Sequence, residues 1–184
     1  KLLIAPTTFA KISKKPLEIL KKKYSKIYIN QTGSVLTKKN LLKLIKDVDA
    51  VIAGTEVYDK QVLNEARNLK VISRLGVGID NIDLKTIKIK KIKLLTTQTT
   101  PERSVAELTL GLILNFYRNI SLSDAEIKKN YWNKRMGNIL YNKTIGVVGL
   151  GRVGKEFIRM MSSFNVQIIA CDINPDRKFA SEKK

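Results

Sequence analysis

Residues 143–172 read "KTIGVVGLGRVGKEFIRMMSSFNVQIIACD", and few folds remain open to a chain that contains them. A β-branched apolar run enters a turn with glycines at 149, 151 and 154. A helical pattern follows, with apolar Val153, Phe157, Ile158, Met160 and Met161, and a second apolar run closes on Asp172. Strand, glycine turn, helix and strand form a βαβ unit, which requires a parallel sheet. The turn spells G-x-G-x-x-G, and each glycine has a physical task. Gly149 permits the tight turn, Gly151 lets backbone approach a pyrophosphate, and Gly154 lets the helix pack closely on its strand. The first helical amides, at Arg152 and Val153, would face that pyrophosphate with the positive end of the helix dipole behind them.

From Gly149 the same residues also spell G-x-x-x-x-G-K, close to a nucleoside-triphosphate loop. That loop needs Ser or Thr directly after its lysine to bind magnesium, and the chain has Glu156 there, so the triphosphate reading fails. The dinucleotide reading asks for an acid at the end of the second strand. Asp172 stands 18 residues beyond Gly154, the spacing of a carboxylate that binds the adenosine ribose hydroxyls, and its charge favours NAD over NADP. The plain alternative is an ordinary strand-end turn residue. Cys171 reads as a small core side chain.

Upstream, five short apolar runs at 2–6, 26–30, 49–54, 70–74 and 92–96 read as strands of a parallel α/β sheet, joined by helices. Ser13 is expected to cap a helix ending near Lys23, Thr37 to cap "KKNLLKLIK", and "DKQVLNEA" to give a further turn or two. A helix of about five turns is expected over 100–118, with Thr100 as N-cap, Pro101 in the first turn and Arg118 at the end. It is apolar around most of its circumference and therefore has to be buried on more than one side, between domains or against a second subunit. A second helix is expected over 121–132. The pattern changes near residue 97, which sets domains at 1–96 and 97–184.

Composition narrows the function classes. The net charge of +19 comes from 27 Lys and 8 Arg spread along surface helices without interleaved aromatics, so nucleic-acid binding is not expected, although the charge suits small anionic substrates. No apolar run is long enough for a membrane span. One cysteine, with no signal-peptide pattern, fits the cytoplasm. The chain starts without methionine and stops soon after an apolar strand, and is read as a fragment.

Four stretches, "SRLGVGIDNID" (73–83), "TPERSVAELTLGLIL" (100–114), Trp132 and "KTIGVVGLGRVGK" (143–155), resemble in order and spacing the NAD-dependent D-isomer-specific 2-hydroxyacid dehydrogenases, a family that includes phosphoglycerate dehydrogenase of serine biosynthesis. The resemblance implies a flavodoxin-like substrate domain followed by the first half of a Rossmann domain, with NAD as cofactor. It implies that Leu75, Gly76, Val77 and Gly78 form the loop whose amides hold the substrate carboxylate, that Gly54 and Thr55 line the other side of the cleft, and that the 100–118 helix makes a homodimer. On residues alone, 75–78 is equally a βα turn, although glycines on both sides of Val77 expose consecutive amides that form an anion-binding nest.

Departures from the family are visible too. Some phosphoglycerate dehydrogenases carry an arginine in the 54–57 loop to meet the substrate phosphate, and here the region reads "AGTEVYD". The usual Asn-Thr-Pro before the long helix reads "TTQ", and a glycine expected near Lys91 is missing. The family's catalytic arginine, histidine and glutamate lie in the second half of its cofactor domain, and this chain has no histidine. The expectation is a parent NAD-dependent oxidoreductase interconverting a small anionic 2-keto acid and its D-2-hydroxy acid, with no catalytic residue in this piece and no metal. The rival is a non-catalytic NAD-sensing protein on the same scaffold, like the family's co-repressors.

Overall fold

The structure is a computed structural model that describes residues 1–98 and 101–182. The chain divides into two compact units, Lys1–Thr100 and Pro101–Lys184.

The first unit alternates strand and helix: β1 (Leu2–Ile4), α1 (Lys15–Lys23), β2 (Ile27–Ile29), α2 (Lys38–Ile45), β3 (Ala50–Ala53), α3 (Lys60–Glu65), β4 (Val71–Arg74), α4 (Leu84–Ile89) and β5 (Lys93–Thr96). The strands pair in parallel in the order β2-β1-β3-β4-β5, which is the flavodoxin-like order. Successive residues of a strand face opposite sides, and both sides are covered. Leu3, Val51 and Ile72 pack with Leu41, Ile45, Val62, Leu63 and Ile87 from α2, α3 and α4. Leu2, Ile4 and Ala50 pack with Leu17 and Leu20 of α1. That is why these strands read as continuous apolar runs.

Local signals set the helix starts. Thr37 accepts from the Asn40 amide at 3.3 Å and Asp59 from that of Val62 at 2.9 Å. Asp83 caps α4, a helix too short to show a period in sequence, by accepting from Lys85 and Thr86. Ser13 is not the N-cap of α1. Lys14 takes that place, and the Ser13 hydroxyl accepts from the Lys15 amide at 3.3 Å, one residue early, because Pro16 sets the first turn. At the other end of α3, the Lys90 ammonium donates to the carbonyls of Leu63 (2.5 Å), Asn64 (3.3 Å) and Ala66 (3.1 Å), which leave the helix without intrahelical partners.

The second unit holds α5 (Glu102–Arg118), α6 (Ile120–Ile127), β6 (Thr144–Val148), α7 (Arg152–Met161), a 3₁₀ turn at Ser162–Phe164, β7 (Gln167–Cys171) and α8 (Arg177–Ser181). β6 and β7 run parallel, from Thr144 opposite Gln167 to Val148 opposite Cys171. Ala106, Phe157 and Met161 form the core between α5 and α7, with Ile145, Val147 and Ile168 from one face of the sheet. Thr100, the expected cap of α5, lies outside the described residues. Pro101 stands just before the helix rather than inside it, and α6 stops at Ile127.

One expectation fails here, because of the number of layers. Cys171 is exposed, not a core residue: it shares a sheet face with Ile169 that no described residue covers. The long helix, among the described residues, is covered on the side where Leu110, Ile113, Leu114 and Tyr117 meet the core. Val105, Leu108, Leu112 and Phe116, spaced three or four apart, form an exposed stripe.

Candidate cofactor and substrate sites

The glycine turn leaves β6 and enters α7. Gly149 has φ of +100°, a conformation that side chains disfavour, and its amide donates to the Cys171 carbonyl at 2.8 Å. A Cβ on Gly154 would lie 2.1 Å from the Gly149 carbonyl oxygen, so the helix can meet the turn only with glycine there. At Gly151, by contrast, a Cβ would meet open space. The first backbone bond of α7 runs from the Lys155 amide to the Gly151 carbonyl at 3.0 Å. Arg152 and Val153 therefore sit in the first turn, with the Val153 and Gly154 amides ahead of that first bond.

Asp172 closes the unit from the end of β7. One carboxylate oxygen accepts from the Leu150 amide at 2.5 Å and the other from the Asn174 amide at 2.8 Å. Those two bonds, helped by the charge of Lys155, hold its pKa below the ordinary aspartate value. Each oxygen keeps a further lone pair. Val148, Gly149, Cys171, Asp172 and Ile173 line an open cleft of about 420 Å³. Lys155, the lysine of the rejected triphosphate loop, pairs its ammonium with Asp176 at 2.5 Å. Asp176 also caps α8 through the Phe179 amide at 3.0 Å. The signal was present as an acid three residues ahead of a buried phenylalanine.

In the first unit the candidate residues sit on the loops after β3 and β4, at the carboxyl ends of the strands, where open α/β sheets bind ligands. Leu75 and Gly76 do not offer free amides: Leu75 donates to the Ala53 carbonyl at 2.9 Å, and Gly76 to the Arg74 carbonyl and the Thr97 hydroxyl, both at 2.9 Å. Among the described residues the amides of Val77 and Gly78 have no partner. Thr97, part of the departure "TTQ", thus holds the loop from the end of β5. Gly54 is buried and Thr55 is exposed. Gly54 donates to the Glu56 carboxylate at 2.8 Å, and Glu56 is 2% exposed. The structure brings Gly54 and Thr55 beside the 75–78 loop in this unit, and the glycine turn beside Asp172 in the other. Among the described residues, no group of His, Cys, Asp or Glu side chains is placed to hold a metal ion, and no helix is long and apolar enough to cross a membrane.

A model of the D-isomer specific 2-hydroxyacid dehydrogenase catalytic domain matches residues 7–183. The chain is 42% identical over 146 residues to a D-3-phosphoglycerate dehydrogenase of Methanocaldococcus jannaschii, covering 77% of this chain and 28% of that protein. It is 37% identical over 144 residues to a hydroxypyruvate reductase of Thermotoga maritima, covering 77% and 47%. The chain thus spans between about a quarter and a half of the length of these curated relatives. A D-lactate dehydrogenase of Aquifex aeolicus, solved with NAD and lactic acid, shares its fold with a TM-score of 0.78 at 23% identity, over 99% of this chain and 54% of that one. The match over nearly the whole chain, with the glycine turn and the parallel sheets in place, settles the family: the chain belongs to the D-isomer specific 2-hydroxyacid dehydrogenases.

Proposed function

We propose that this chain supplies the substrate-carboxylate loop and the adenosine and pyrophosphate half of the cofactor site of an NAD-dependent oxidoreductase that interconverts a small anionic 2-keto acid and its D-2-hydroxy acid. The observation that carries this reading is the turn from Gly149 to Gly154 with Asp172 bonded across it. The open space at Gly149 and Gly151 and the first-turn amides at Val153 and Gly154 fit a pyrophosphate, with Arg152 at the same helix start. The spare lone pairs of Asp172 fit ribose hydroxyls, and its charge opposes a 2′-phosphate. NAD supplies the hydride acceptor or donor when bound.

The substrate domain is residues 1–96, with the cofactor domain beginning at 97. In this reading Val77 and Gly78 donate to the substrate carboxylate, Leu75 and Gly76 give the loop its shape, and Gly54 and Thr55 form the opposing wall. The 54–57 loop carries no cation, with Glu56 turned inward, which favours a substrate without a distal phosphate. The chain contains no histidine, so the proton donor that keto reduction needs near neutral pH is not among these residues, and this piece alone is inactive. The exposed stripe of Val105, Leu108, Leu112 and Phe116 fits a second copy of the chain, as a homodimer. A lone, exposed Cys171 fits a reducing compartment, the cytoplasm.

Titration calorimetry of the chain with NAD and NADP tests the cofactor half. NAD binds the more tightly, and Asp172→Ala weakens it by about tenfold. Equal affinity for both cofactors, unchanged in the variant, would sink the assignment. NADH oxidation with a panel of 2-keto acids by the longer protein tests the chemistry, and NAD binding without turnover would favour the sensing protein.

A further inference from the structure

The 54–57 loop and the 75–78 loop leave different strands, yet a keto acid held between them needs their separation fixed to a fraction of an ångström. The first loop has few means of fixing itself. Gly54 gives its amide to the Glu56 carboxylate two residues on, which closes the loop on itself without anchoring it. The amides of Thr55, Glu56 and Val57 have no partner among the described residues. Among the described residues its carbonyls are anchored by one side chain: the Asn81 amide nitrogen donates to the Gly54 carbonyl at 3.2 Å and the Glu56 carbonyl at 2.6 Å.

Asn81 is itself well placed to transmit position. Three residues after Gly78, it is locked by backbone bonds that survive loss of its side chain: Tyr58 donates to the Asn81 carbonyl at 2.8 Å, Asp83 to the Tyr58 carbonyl at 3.0 Å, and Ile82 to the Ile79 carbonyl at 3.0 Å. Tyr58 and Ile82 also pair as a parallel bridge. We infer that Asn81 is a positioning residue, a clamp that sets the 54–57 loop against the Val77 and Gly78 amides and thereby sets affinity for the 2-keto acid. The inference rests on the carboxylate-loop reading above. The chemistry demands an amide there: a carboxylate of the same size would set oxygen against two carbonyl oxygens with no proton to share.

The test uses the ¹⁵N-labelled 184-residue chain, glyoxylate as the probe, and the variants Asn81→Ala and Asn81→Asp. Without ligand, both variants should speed hydrogen exchange at Gly54, the loop amide that is bonded and buried, and move the resonances of Thr55, Glu56 and Val57, while β3 and β4 keep their protection. With glyoxylate, the wild-type resonances of Val77 and Gly78 shift, and both variants need about tenfold more probe for the same shift. Two variants that bind like wild type would overturn the clamp and leave the loop reading intact. No shift at Val77 or Gly78 in the wild type would sink the loop reading and the clamp together. Lost protection throughout β3 and β4 in both variants would also overturn it, since Asn81 would then be holding the fold rather than the loop.

Discussion

Ile72 in β4 and Ile169 in β7 are the same residue in the middle of parallel strands, and their surroundings differ as far as surroundings can: Ile72 is fully buried and Ile169 is 60% exposed. The five-stranded sheet of the first unit has helices on both faces, whereas the β6–β7 pair has its described core on one face only. An apolar strand sequence states that a strand is suited to burial. The layers packed against it decide whether it is buried.

The largest effect should come from emptying the closed core. Ile72→Ala removes packed methylenes and leaves a cavity, and should cost about 2–5 kcal/mol in urea unfolding of the first unit. Ile169→Ala should cost under about 1 kcal/mol, chiefly through lost strand preference. Similar costs at both sites would break the contrast.

The next effect lies in the less covered unit, at its tightest point. Gly154→Ala forces a methyl against the Gly149 carbonyl, and the helix must shift by more than a side chain's give, at a cost of about 1–3 kcal/mol. The same substitution at Gly151, with open space, should cost no more than a few tenths of that, though it should still weaken NAD binding. Calorimetric melting of the two variants separates these outcomes.

A smaller effect is expected where the Lys90 ammonium closes three carbonyls of the α3 end. Lys90→Met keeps the stem and removes the donor, and should lower stability by about 1 kcal/mol, seen as faster hydrogen exchange around the α3 end before any change in β4. Unchanged exchange there would mean that water replaces the ammonium at no cost.

The smallest effect is read in acid. Asp172 and Asp176 are held below the ordinary aspartate value of 3.8, Asp172 first by the amides of Asn174 and Leu150, Asp176 first by Lys155. Groups with lowered folded pKa values contribute stability above the unfolded value and lose it as the pH falls through the folded one. The β7–α8 end should therefore loosen below about pH 3.8, seen in the Leu150 and Phe179 amide shifts. Replacing Asp172 and Asp176 by Asn should abolish that titration. If the Leu150 and Phe179 shifts titrate unchanged in the doubly substituted chain, some other group controls that end.

Much of this could be read from residue types at fixed spacing. The β-α alternation, the G-x-G-x-x-G turn and Asp172 at its distance were legible because each reports a local requirement: a period, a φ, a spacing. Thr37 was equally local. What was not legible depended on neighbours remote in sequence. Cys171 reads as core in any apolar run, and only the absence of a described layer above it makes it exposed. Leu75 and Gly76 look as able to bind a carboxylate as Val77 and Gly78, until Ala53 and Thr97 take up their amides across the sheet.

By itself, then, the sequence determined the parallel α/β architecture and the glycine turn, since strand period, glycine conformation and helix caps act over a few residues. Only the tertiary structure decided which amides of a loop remain free, which face of α5 is left bare, and that Asn81 ties two loops together. Those outcomes depend on which donors meet which acceptors after distant strands have paired, and no spacing along the chain encodes that meeting.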